Sequence, residues 1–132
     1  MKNTFNDVVE AIGYTQMIKM NSLLENDGVE CQVYAKCEFT GVGGSVKDRI
    51  GKNMLLEAEK RGDVKKGDYV VESTSGNTGI GIVLTALSRG MKSIITIPCK
   101  MSQEKVNLLK GLGAEVYVCD TAAPKGHPDK YI

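Results

Sequence analysis

From residue 69 onward, apolar segments of two different periods alternate, and the connections between them are short. Residues 69–72 read as a strand, 80–87 as a mostly buried helix, 93–97 as a β-branched strand stopped by Pro98, and 115–119 as a further strand. Gly90, after Arg89, closes the first helix. Ser102 is placed to cap a second helix running through Lys110, with Glu104 in its first turn, Lys110 in its last, and Gly111 and Gly113 ending it. A β-α-β-α-β order with short links calls for parallel strands and right-handed crossovers. The expected class is therefore α/β, a three-layer α/β/α arrangement with a parallel sheet. Ligands of such sheets sit beyond the carboxyl ends of the strands. Residues 73–79 lie at that end of the first of these strands.

Upstream the pattern is looser. Asn26-Asp27-Gly28 marks a turn, and 31–36 alternates as a strand does. Residues 39–44 form a glycine-rich loop. Ile50, Met54, Leu55 and Ala58 then recur at helical spacing up to Gly62, which predicts an amphipathic helix packed through those side chains. Residues 65–68 form a second turn. Beyond Thr121, two prolines, a glycine and mixed charge suggest a loop or fraying tail.

The 132 residues suffice for one core. Seventeen basic residues against 16 acidic ones give no electrostatic reason for nucleic acid or an anionic membrane as partner. No apolar run approaches the ~18 residues of a membrane helix, and the N-terminus lacks the apolar stretch of a signal peptide. The four cysteines show no CxxC spacing and His127 is the only histidine, so a zinc site is not expected. Cys99 and Cys119 end apolar runs, where buried thiols are common. Thiols in a leaderless chain point to the cytoplasm.

Two stretches carry chemistry. In Ser73-Thr74-Ser75-Gly76-Asn77-Thr78-Gly79, two glycines let backbone approach a ligand, and N–H groups and hydroxyls at a helix start favour a carboxylate or phosphate. The alternative is a helix start whose polar residues satisfy its own orphan donors. Those glycines run G-x-x-G-x-G, and the next strand ends at Pro98-Cys99 without an acidic residue for a ribose, which argues against a dinucleotide site. In Gly43-Gly44-Ser45-Val46-Lys47-Asp48-Arg49, Lys47 is either a solvated lysine at a helix start or a nucleophile able to form a Schiff base with an aldehyde cofactor. This stretch lacks the spacing of a P-loop. Asp48 can complement the helix dipole, and Arg49 can pair with an acid.

These motifs resemble the cysteine synthase/cystathionine β-synthase family of pyridoxal phosphate (PLP) enzymes, which have the tryptophan-synthase-β-like fold. The resemblance rests on Lys36-Cys37-Glu38, residues 43–49, residues 74–81, Met101-Ser102 and Leu112-Gly113-Ala114-Glu115, in family order from about Gly13 to Asp120. The stretch 35–39 looks closer to the cystathionine β-synthase branch. The resemblance implies that Lys47 is the Schiff-base lysine and that Asn77 bonds the cofactor's 3′-oxygen. It also implies that Thr74, Ser75 and Thr78 grip the α-carboxylate of the substrate. The implied reaction is β-replacement on serine or O-acetylserine by a thiol or sulfide.

The chain departs from the family pattern in places. Thr15-Gln16 stands where Thr-Pro is usual, and Gly41-Val42-Gly43 where Asn-Pro-Gly or Asn-Ala-Gly is common; both changes are expected to loosen turns. The family's loop for the cofactor phosphate comes later than residue 132. The chain is therefore expected to be a truncated N-terminal part. Residues 1–45 would be first elements of the larger lobe, 46–120 the smaller lobe and 121–132 a tail. Its expected partners are a small-molecule amino acid and a thiol or sulfide, with a homodimer or docking to a full-length relative as assemblies. The alternative is a non-catalytic amino-acid-binding or docking protein of the same descent.

Overall fold

A computed structural model describes residues 4–21, 28, 30–74, 76–123 and 126–127. Asn26 and Asp27, most of the tail and Ser75 lie outside these residues.

The alternating half folds as its pattern predicts. Strands β3 (Tyr69–Ser73), β4 (Lys92–Pro98) and β5 (Glu115–Cys119) form a parallel sheet in the order β3-β4-β5. Helix α3 (Asn77–Ser88) crosses from β3 to β4, and helix α4 (Gln103–Gly111) from β4 to β5. The expected α/β architecture with a parallel sheet is thus present. Ile95 and Ile97 of β4 are fully buried against Ile80, Val83 and Leu84 of α3 and Leu109 of α4. Helix α3 is buried from Gly79 to Ala86, because it meets the sheet on one side and another helix on the other. Gly90 takes the left-handed conformation (φ 69°) that ends α3. Ser102 stands at the head of α4 but its side chain makes no capping bond; its carbonyl accepts from the Lys105 N–H at 3.1 Å.

That second helix is α2 (Asp48–Arg61), ended by Gly62 at φ 82°. Its contact line differs from the expected one. Asp48, Gly51 and Leu55 are buried, whereas Ile50 and Met54 are 40% and 46% exposed. The reason is steric: a Cβ on Gly51 would collide with the backbone of Gly81 and Ile82. Glycine facing glycine lets α2 and α3 approach closely, which turns α2 so that Ile50 and Met54 point away. Arg89 pairs with Glu59 at 2.8 Å across the far end of the same helix pair.

The N-terminal part is thinner. Helix α1 (Val8–Ala11), capped by Asp7, lays Val8 on the core and buries Val9. Strand β1 (Met17–Lys19), which the sequence pattern did not reveal, pairs antiparallel with β2 (Tyr34–Lys36), shorter than the strand expected at 31–36. No residue of β1 is buried. Beyond that helix, polar contacts fasten the stretch around Gly13, Thr15 and Glu38 to α2. The Arg49 guanidinium donates to the Gly13 carbonyl at 3.1 Å and the Thr15 hydroxyl at 2.7 Å, and pairs with Glu38 at 3.4 Å. The Lys52 ammonium donates to the Ile12 carbonyl at 2.9 Å.

Candidate active site

The ladder of β3 runs one residue past the strand, where the Thr74 N–H donates to the Thr96 carbonyl at 3.0 Å. The chain then turns at Gly76, whose φ of 153° and ψ of −105° belong to glycine alone. Helix α3 starts at Asn77. Thr74 is buried and its hydroxyl faces the Gly76 N–H at 3.4 Å. A Cβ on Gly79 would strike the Thr74 methyl, so this glycine keeps Thr74 tucked under the helix start. Asn77 is exposed and Thr78 half-buried at the same helix start. Ser75 lies outside the described residues.

Lys47 stands immediately before α2, its N–H on the Ser45 hydroxyl at 3.2 Å. It is exposed, and its ammonium group makes no hydrogen bond or ion pair with a described residue. A Cβ on Gly81 would lie 2.9 Å from the Lys47 carbonyl oxygen and 2.8 Å from the Asp48 Cα. Gly51 is one helical turn after Lys47, and Gly81 one turn after Asn77. The glycine contact between the helices therefore brings Lys47 and the 74–78 turn onto neighbouring turns of one packed pair.

Asp48 does more than complement a dipole. It is buried, and its Oδ2 accepts from the Gly43 N–H at 2.7 Å. Burial pushes its carboxyl above the usual carboxylate range, against the lowering effect of the Gly43 and Ser45 N–H groups. Gly43 has no room for a Cβ against this carboxylate. The turn at 41–43, expected to be loose, is thus held by a buried side chain. Thr15 is likewise fastened, between Arg49 and a 3.2 Å bond to Glu38. Thr15, Glu38, Asp48 and Arg49 line a cleft of about 130 Å³ together with Tyr14 and Val42.

The cysteines fall differently from expectation. All four are unbridged, but Cys37 is the buried one, Cys99 is exposed and Cys119 partly so. Cys99 lies past the end of β4, where hydrogen bonding to Thr121 lowers its thiol pKa. Among the described residues no group of His, Cys, Asp and Glu side chains is arranged to hold a metal, and no helix is long and apolar enough to cross a membrane.

The family profile described as pyridoxal-phosphate dependent enzyme matches residues 8–130. The chain belongs to this family. It is 49% identical over 131 residues to a cystathionine beta-synthase of Dictyostelium discoideum, a match covering 99% of this chain and 26% of that protein. It is 43% identical over 111 residues to a cysteine synthase of Staphylococcus aureus, covering 84% of this chain and 35% of that protein. Among solved structures, a hydrogen sulfide-producing enzyme from Fusobacterium nucleatum superposes with a TM-score of 0.82 at 36% identity, over 92% of this chain and 39% of that one. The chain thus spans between about a quarter and two-fifths of the length of these relatives.

The family uses pyridoxal phosphate, and the residues present fit that group. Lys47 is an exposed primary amine with no described partner competing for it. Sequence reasoning missed the glycine pair that seats it. The signal was present as a glycine four residues after Lys47 and another four residues after Asn77.

Proposed function

We propose that this chain is the N-terminal part of a PLP-dependent enzyme of β-replacement, acting on serine or O-acetylserine to give cystathionine or cysteine. The observation carrying this reading is the glycine-to-glycine contact that seats Lys47 beside the helix bearing the 74–78 turn. Residues 1–45 belong on this reading to a larger lobe, 46–120 to a smaller one and 121–132 to a tail. The setting is cytoplasmic. A solved lysine-to-alanine variant of O-ureido-L-serine synthase with O-ureido-L-serine bound, 31% identical with a TM-score of 0.78, adds support from a relative that holds an amino acid.

When bound, pyridoxal phosphate supplies an electron sink for charge developing at the Cα of the amino acid. Lys47 would hold the cofactor through Nζ and would carry the Cα proton on that same amine. Asn77 would offer its side-chain amide to the cofactor's 3′-oxygen. Thr74, Ser75 and Thr78 hold the α-carboxylate, and the start of α3 favours that negative charge. A carboxylate fixed at the helix start orients the Cα–H for transfer to the lysine.

The test is to add pyridoxal phosphate to the 132-residue chain, reduce with borohydride and map the labelled peptide. Labelling chiefly at Lys47, and its loss in Lys47→Ala, are expected. Labelling chiefly at another lysine would overturn the assignment.

A second reading is a non-catalytic protein that docks onto a longer relative. Tyr69, Val71 and Tyr117, which share an exposed face of the sheet, favour it. Co-purification with the longer homologue, without cofactor labelling, would select it.

A further inference from the structure

Lys105 occupies the first turn of α4, where the helix dipole disfavours a cation. Its ammonium group makes no hydrogen bond or ion pair with a described residue, although the side chain is half-buried. The Nζ lies 2.9 Å, and the Cδ 3.5 Å, from where a Cβ on Gly76 would stand, with the Met101 methyl at 3.6 Å. The aliphatic stem therefore runs along Gly76 and carries its charge to the middle of the 74–78 turn.

Two positive features converge there. One is the Lys105 ammonium. The other is the start of α3, whose first N–H groups lack intrahelical acceptors. Like-signed neighbours repel, and an anion seated between them would relieve both. Gly76 has a second reason to be glycine besides its φ, since any side chain would displace the lysine tip from the turn.

We propose that Lys105 is a specificity-determining residue, the counter-charge for the α-carboxylate of the amino-acid substrate. This rests on the reading that the 74–78 turn holds that carboxylate. Thr74 and Thr78 supply neutral donors, and Lys105 supplies the full charge. It thereby makes the site prefer a free carboxylate over its amide. Charge-assisted bonds of this kind are stronger than neutral ones.

The test is a titration of the 132-residue chain with L-serine and with L-serinamide, followed by amide chemical shifts in wild type, Lys105→Met, Lys105→Arg and Thr78→Ala. Wild type is expected to bind L-serine more tightly, with shifts centred on residues 76–79. Lys105→Met is expected to weaken L-serine about tenfold and leave L-serinamide unchanged, with most of the loss restored in Lys105→Arg. Weakening of both ligands to the same extent in Lys105→Met would show a merely structural role and overturn the proposal. Wild-type affinity in Lys105→Met beside a loss in Thr78→Ala would also overturn it, while leaving the carboxylate turn standing. Failure of wild type to bind L-serine, or to distinguish it from L-serinamide, would remove the carboxylate turn and this inference with it.

Discussion

The two faces of the parallel sheet both carry large apolar side chains but differ in what covers them. One face turns Ser93, Ile95 and Ile97 toward helices α3 and α4, and all three are buried. The other carries Tyr69, Val71 and Tyr117, with Val71 64% and Tyr117 56% exposed. Strands apolar on both sides are the mark of a parallel sheet built to be covered twice. Burial here therefore reports which partners are present, and stability should be concentrated on the helix-covered face.

The sharpest way to break this comparison is a pair of truncations. Ile95→Ala should cost about 2–5 kcal/mol, and Val71→Ala within about 0.5 kcal/mol, by denaturant midpoint. A Val71→Ala cost matching that of Ile95→Ala would mean that the second face is covered in solution. Next in size is Gly51→Ala, whose new methyl meets the backbone of Gly81 and Ile82, where only a helix shift makes room. A loss of about 1–3 kcal/mol is expected. An unchanged midpoint would mean that α2 and α3 are not in contact at the glycines.

Arg49→Ala probes the contrast between packed and polar attachment. It should lower global stability by about 1 kcal/mol. Amide exchange should rise at residues 13–19 and 34–38 while 79–86 stay protected. Faster exchange throughout would contradict a separate, polar fastening of the N-terminal part. The smallest effect belongs to Asp48. A carboxyl whose folded pKa lies above its unfolded one binds its proton more tightly when folded. Its contribution is therefore full below the unfolded pKa and is lost as pH rises through the folded one. Asp48→Asn should flatten that part of the stability–pH curve, by about 1 kcal/mol or less. An identical curve would show that Asp48 titrates normally.

The sequence is legible where burial follows period. Strands 69–73, 92–98 and 115–119 and the buried helix at 77–88 stand close to where apolar spacing and glycine stops put them. Strand β1 left no trace, because none of Met17, Ile18 and Lys19 is buried and no alternation marks them. The packing line of α2 was misread at Ile50 and Met54 because periodicity counts apolar side chains, whereas the contact is made by the absence of one at Gly51. Lys47, Asn77, Thr74 and Thr78 were visible as motif members. Their seating was not, since it depends on two glycines in different helices. Lys105 carried no motif at all; only the turn at Gly76 brings it to the site.

The most direct measurement compares borohydride-trapped pyridoxal phosphate at Lys47 between wild type and Gly81→Ala, both kept below their melting midpoints. The Gly81 Cβ would press first on the Lys47 carbonyl and the Asp48 backbone. If the helix contact seats the lysine, labelling at Lys47 falls in Gly81→Ala while background labelling of other lysines is unchanged. Undiminished, selective labelling of Lys47 in that variant would contradict the account.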